Sequence, residues 1–164
     1  MDQALKDAVW RQFGAAMDTL EDAINLCPEH LWTVALWPDN DDARYGQFWY
    51  VAYHPVVWLD LFLGGSYEAF TPPAPFVRGV LPEQPYPKEV VLGYLKQCRQ
   101  KGYEVIQSLT NDTAYRVCVF PWMQPTFLEL QLYSLRHVQE HAAELNMVLG
   151  QHGVTGQDWV AQAR

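Results

Sequence analysis

Two histidines four residues apart, in the run Arg136-His137-Val138-Gln139-Glu140-His141, have the spacing that lets two imidazoles close on one cation. On an α-helix each residue turns by about 100°, so positions four apart share a face one turn apart. The same stripe carries Phe127, Leu130, Ser134, Val138, Leu145 and Val148 and is therefore expected to face a core. A third histidine, His54, shares its stripe with Gln47, Tyr50, Val51, Val57, Trp58 and Leu61 and is expected to point inward as well. Three neutral imidazoles from two helices make a facial site, each nitrogen about 2.0–2.1 Å from a divalent metal, with further positions open to water or substrate. A cation held only by neutral ligands keeps its full charge and lowers the pKa of a bound water or thiol.

The neighbouring residues narrow this reading. His137 to His141 also fits the HxxEH protease pattern, in which the glutamate is a general base. Glu140, however, lies about 100° from the direction of His141 and is placed at the core border or in solvent. Glu144 lies beside the stripe, where it could accept a hydrogen bond from a ligand, serve as a fourth ligand, or be a solvated flank residue; the last is the expectation. His152 lies on the His141 stripe but about 16 Å farther along, and His30 is a surface loop residue beside Glu29. Tyr50, Trp58, Ser134 and part of the following Pro-rich loop are expected to line a pocket, with Tyr50 a candidate proton donor. There is no GxSxG, phosphate-cradling glycine loop or dinucleotide fingerprint.

Four helical segments must position these groups. The first, over residues 2–26, has Leu5, Val9, Phe13, Ala16, Leu20 and Ile24 at spacings of three and four, and Cys27-Pro28 ends it. The second, over 43–63, follows aspartates able to cap it and stops at Gly64-Gly65. Pro55 inside it removes the donor for the Val51 carbonyl, which predicts a kink beside His54. The third covers 88–109 and the fourth 125–152, with an irregular connection over 111–124. Between the second and third lies a long stretch holding Pro72, Pro73, Pro75, Pro82, Pro85 and Pro87. A loop of that length either covers a site or crosses a bundle. The expectation is one all-α domain over 1–164, a four-helix bundle with a long crossover loop.

The composition excludes several roles. Eleven Lys and Arg stand against 19 acids, for a net charge of −8 and no basic run, so nucleic acid and anionic membranes are poor partners. The most apolar run, 48–63, is shorter than the roughly 20 residues of a bilayer span and contains His54, Pro55 and Asp60. Cys27, Cys98 and Cys118 lack CxxC spacing and read as buried thiols of a reducing compartment, which, with no signal-peptide layout, implies a cytoplasmic protein.

At three stretches the chain resembles the DinB-like (DinB/YfiT) superfamily of metal-dependent four-helix proteins. These are Cys27-Pro28-Glu29-His30-Leu31-Trp32, Phe48-Trp49-Tyr50-Val51-Ala52-Tyr53-His54, and Arg136 through Asn146. The resemblance implies an up-down-down-up bundle, a nickel or zinc ion on His54, His137 and His141, and a homodimer formed through helix packing. It also implies a small-molecule substrate and, as in characterised relatives, a low-molecular-weight thiol used in group transfer. Pro55 directly after the first ligand is not demanded by the family pattern. Two functions remain open at this point: a metal-dependent hydrolase or thiol-dependent transferase, and a non-catalytic stress-response or small-molecule binding module whose metal is structural or absent. Dependence of turnover on an added thiol separates transferase from hydrolase.

Overall fold

The computed structural model describes residues 1–156 and 158–164. Its long helices are α1 (Gln3–Leu26), α2 (Phe48–Gly64), α3 (Lys88–Gln107) and α5 (Phe127–Gln151), with a short α4 (Asn111–Tyr115) before the last. Among the described residues there is no β-strand, only isolated bridges such as Ala35 with Gln47. No helix among them is long and apolar enough to cross a membrane.

Each boundary has a local cause. Asp2 caps α1 by accepting from the Ala4 N–H. The predicted first turn of α2 is a separate 3₁₀ turn, Ala43–Gly46, capped by Asp42, whose carboxylate also pairs with Arg44. It cannot continue into α2 because residues 34–36 zip against it: Leu36 N–H donates to the Gly46 carbonyl at 2.7 Å and Phe48 N–H to that of Val34 at 2.9 Å. Any side chain at Gly46 would collide with the Trp37 carbonyl, its Cβ only 2.2 Å away. At the far end Gly65 adopts φ 69° and stops α2, and Phe127 packs where a Cβ would stand. Between these ends α2 continues through Pro55 as a single helix. The short α4 was not anticipated; Thr110 and Thr113 form a reciprocal capping box that starts it.

Contacts at the helix ends fix the directions. Lys88 of α3 binds the Cys27 carbonyl just past α1, and Lys6 of α1 binds the Gln107 carbonyl at the end of α3, so these two run antiparallel. Trp32 meets the starts of both α2 and α3: its carbonyl accepts from Trp49 N–H and its indole donates to the Tyr86 carbonyl. Gln131 near the start of α5 donates to the Phe62 carbonyl near the end of α2. The order is therefore up-down-down-up, as the resemblance implies. Helices α1 and α2 each pack against α3 and α5.

The core is formed by Phe13, Met17, Leu20 and Ile24 of α1, Trp49, Leu59 and Phe62 of α2, Ile106 of α3, and Leu130, Leu145 and Leu149 of α5. Leu5, in the first turn of α1, is exposed. Nearly every face of α2 is apolar, as suits a helix enclosed by two neighbours and a loop. That loop, residues 65–87, is pinned by Phe76, which stacks between Tyr53 of α2 and Tyr94 of α3 at 5.4 and 4.5 Å.

Candidate metal centre

Helices α2 and α5 bring the three predicted histidines together. One ligand atom from each of His54, His137 and His141 lies within 4.8 Å of the others, and this group could hold a metal ion. His137 Nε2 and His141 Nε2 are 3.1 Å apart, and the His54 ring centre is 5.1 Å from each of the other two. Two nitrogens bound side by side to one ion at about 2.0–2.1 Å stand roughly 2.9–3.4 Å apart for octahedral to tetrahedral angles. The α5 pair meets that requirement as it stands. His54 makes no hydrogen bond among the described residues, which leaves its ring nitrogens available to a ligand.

Electrostatics favour the form that binds metal. Burial pushes His54 down to about 3, helped by the nearby His137 and His141. Burial, with the charge of His141, takes His137 down to about 4. Both imidazoles are therefore neutral near pH 7. The Nδ1–H of His141 donates to Glu144 Oε2 at 2.7 Å, which sets the tautomer so that Nε2 turns its lone pair to the cluster. Glu144 thus acts behind the ligand, and its placement as a solvated flank residue is corrected. The signal was its position one turn beyond His141, where an i,i+3 pair meets. Glu140 is exposed, as expected, and so are His30 and His152.

Cavities flank the cluster on both sides of Trp58. The larger, about 230 Å³, opens on His54 and lies beneath the Pro-rich loop. Tyr50, Tyr53, Val57 and Trp58 wall it from α2, and Tyr67, Phe70 and residues 77–81 close it from the loop. The smaller, about 180 Å³, is bounded by His54, His137, Phe62, Trp122 and Tyr133. Tyr50, His54, Val57 and Trp58 are only half-buried, because their stripe lines a cavity and not the core. Burial raises the Tyr50 hydroxyl to about 12, so it stays protonated. Ser134 does not line either cavity: it is fully buried on α5 and its Oγ has no protein partner. The loop is thus both crossover and roof. The particular loop residues Phe70, Arg78 and Trp122 escape sequence reasoning because nothing local places a given loop residue over a helix, and Tyr53 of α2 escapes it because its stripe is not that of His54.

A bundle in this order is also found in a protein of known structure. The chain matches the crystal structure of a DinB-like protein, YjoA, from Bacillus subtilis, with a TM-score of 0.63 over 93% of this chain and 96% of that one. The two share 12% sequence identity, so the likeness establishes the fold. No protein-family model and no curated protein matches the sequence.

Proposed function

We propose that the protein is a metal-dependent enzyme acting on a small molecule, with His54, His137 and His141 as the ligands of one divalent ion. The observation that carries this is the 3.1 Å approach of the His137 and His141 ring nitrogens, faced by a third histidine and backed by Glu144. An all-nitrogen donor set suits nickel or zinc. When bound, such an ion supplies Lewis acidity that favours the deprotonated form of a water or thiol, giving hydrolysis or thiol-dependent transfer. His54 and His137 stay uncharged and hold the ion, and Glu144 orients His141. Trp58 and the aromatic walls exclude water, and Tyr50, protonated and 5.7 Å ring to ring from His54, is placed to give a proton to a substrate in the larger cavity. The protein is proposed to act as a cytoplasmic homodimer.

Elemental analysis of the untagged protein tests this beside His137→Ala and His54→Ala. Near one equivalent of metal in the wild type, lost in both variants, is expected. No uptake after incubation with nickel or zinc would sink the assignment. Turnover that requires an added thiol would then select transfer over hydrolysis.

A further inference from the structure

We propose that the cavity beneath the Pro-rich crossover binds a small aromatic carboxylate, with the carboxylate on Arg78 and the ring between the α2 aromatics and the loop. Only the fate of the molecule's other end, which reaches His54, rests on the metal reading above.

The walls select the body of the ligand. Tyr50, Tyr53, Trp58 and Phe70 offer aromatic surface, and such rings bind other rings edge-on or offset. The volume, about 230 Å³, lies below the ~300–1,000 Å³ of sites for drug-sized molecules, which suits a single ring with a short side chain.

Arg78 selects the charge. Among the described residues it is the one permanently charged side chain in this lining. Its guanidinium sits 4.6 Å over the Tyr67 ring, and Nη1 donates to the Tyr67 carbonyl at 2.5 Å. These contacts hold the group in place and use one of its five N–H donors. Arg44, Arg99 and Arg164 are each tied to a carboxylate, of Asp42, Asp18 and Asp22 respectively. Arg78 makes no ion pair with any described residue. The phenols of Tyr50 and Tyr53, raised by burial, stay neutral and do not compete for it. A planar fork already anchored on one side is suited to a carboxylate approaching from the other, and preorganisation lowers the cost of binding it.

Phenylacetate and its neutral isostere phenylacetamide test the assignment. Each is titrated calorimetrically into chelator-treated wild type, Arg78→Met and Arg78→Lys, and again after nickel loading. In the metal-free wild type, phenylacetate is expected to bind about tenfold more tightly than the amide. Arg78→Met should bring the two within about twofold without changing amide affinity, and Arg78→Lys should retain part of the preference. Arg78 is exposed, so an unchanged melting curve should accompany the Met variant. Equal affinities in the wild type, no binding of either probe, or a preference that survives Arg78→Met would overturn the proposal. A preference that appears only with nickel and ignores Arg78 would overturn it too, while leaving the metal site intact. A preference in chelated protein that takes up no nickel would uphold Arg78 and remove the metal.

Discussion

The two sides of the bundle treat buried polar groups in opposite ways. Between α1 and α3, the Asp18 carboxylate is 2% exposed and every oxygen is matched. Arg99 Nε donates to Oδ1 at 2.8 Å, and the backbone N–H of Arg164 donates to Oδ2 at 2.8 Å. Arg99 in turn donates to the Arg164 carbonyl, so the last residues are drawn onto α1 and α3. Along α5 the accounts stay open. The buried side-chain atoms without a protein partner, among the described residues, all belong to α5: Gln131 Oε1, Ser134 Oγ, His137 Nδ1 and Asn146 Oδ1. Native proteins leave few such groups unpaired. A charge that is matched on all sides holds a structure together, whereas a helix that carries buried polar atoms without partners beside three converging imidazoles is suited to receive something. The difference separates a structural polar cluster from a binding one without any appeal to sequence likeness.

Exchanging the roles of these sides gives the largest effects. His141→Ala should abolish stoichiometric metal while leaving the melting temperature of the apoprotein within a few degrees, as measured by elemental analysis and calorimetry. Asp18→Ala should do the reverse. Breaking a buried pair from one side costs about 3–5 kcal/mol, and Arg99 retains some solvent, so a loss of about 3 kcal/mol in denaturant unfolding is expected. Metal content per folded molecule should not change. If Asp18→Ala emptied the metal site, or His141→Ala unfolded the protein, the two sides would not be independent.

Glu144→Gln sharpens the contrast within the site itself. The amide can still accept from His141 Nδ1 but loses the charge that orients and enriches the ring. Such changes behind a ligand weaken metal affinity by about 10–100-fold. A competition titration with a chromophoric chelator reads this directly. An unchanged affinity would make Glu144 a passive neighbour of His141.

How much of this was legible in the residues follows from the range of each interaction. The histidines were found because helical period is local: the spacing of His137 and His141 alone gives a shared face, and the stripe around each ring gives its direction. The bundle followed from the apolar periods and from Pro28, Gly65 and the long proline-rich connection. What escaped depends on contacts far apart in the chain. The start of α2 moved because residues 34–36 pair with 46–48, an extended contact that outcompetes helix propensity. Ser134 sits on the same stripe as the histidines, yet it is fully buried and lines neither cavity. Arg78 reaches its place only because Phe76 wedges between Tyr53 and Tyr94 and fixes the loop over α2.

The smallest effect concerns protons, and its sign discriminates the two sides most cleanly. In the apoprotein His54 and His137 are held near 3 and 4 by burial, whereas in the unfolded chain a histidine titrates near 6.5. Below about pH 6.5 the unfolded chain takes up protons that the folded site refuses. Stability is therefore fully present above that pH and is lost as pH falls toward 4 and then 3. Each histidine is expected to remove roughly 1–2 kcal/mol between pH 7 and pH 5. Urea unfolding of chelated wild type and His54→Asn at pH 7 and pH 5 should show the variant losing less stability on acidification. Parallel losses in the two proteins would mean that the His54 imidazole is solvated, and that the α2 side of the cluster lacks the burial on which its neutral, ligand-ready state depends.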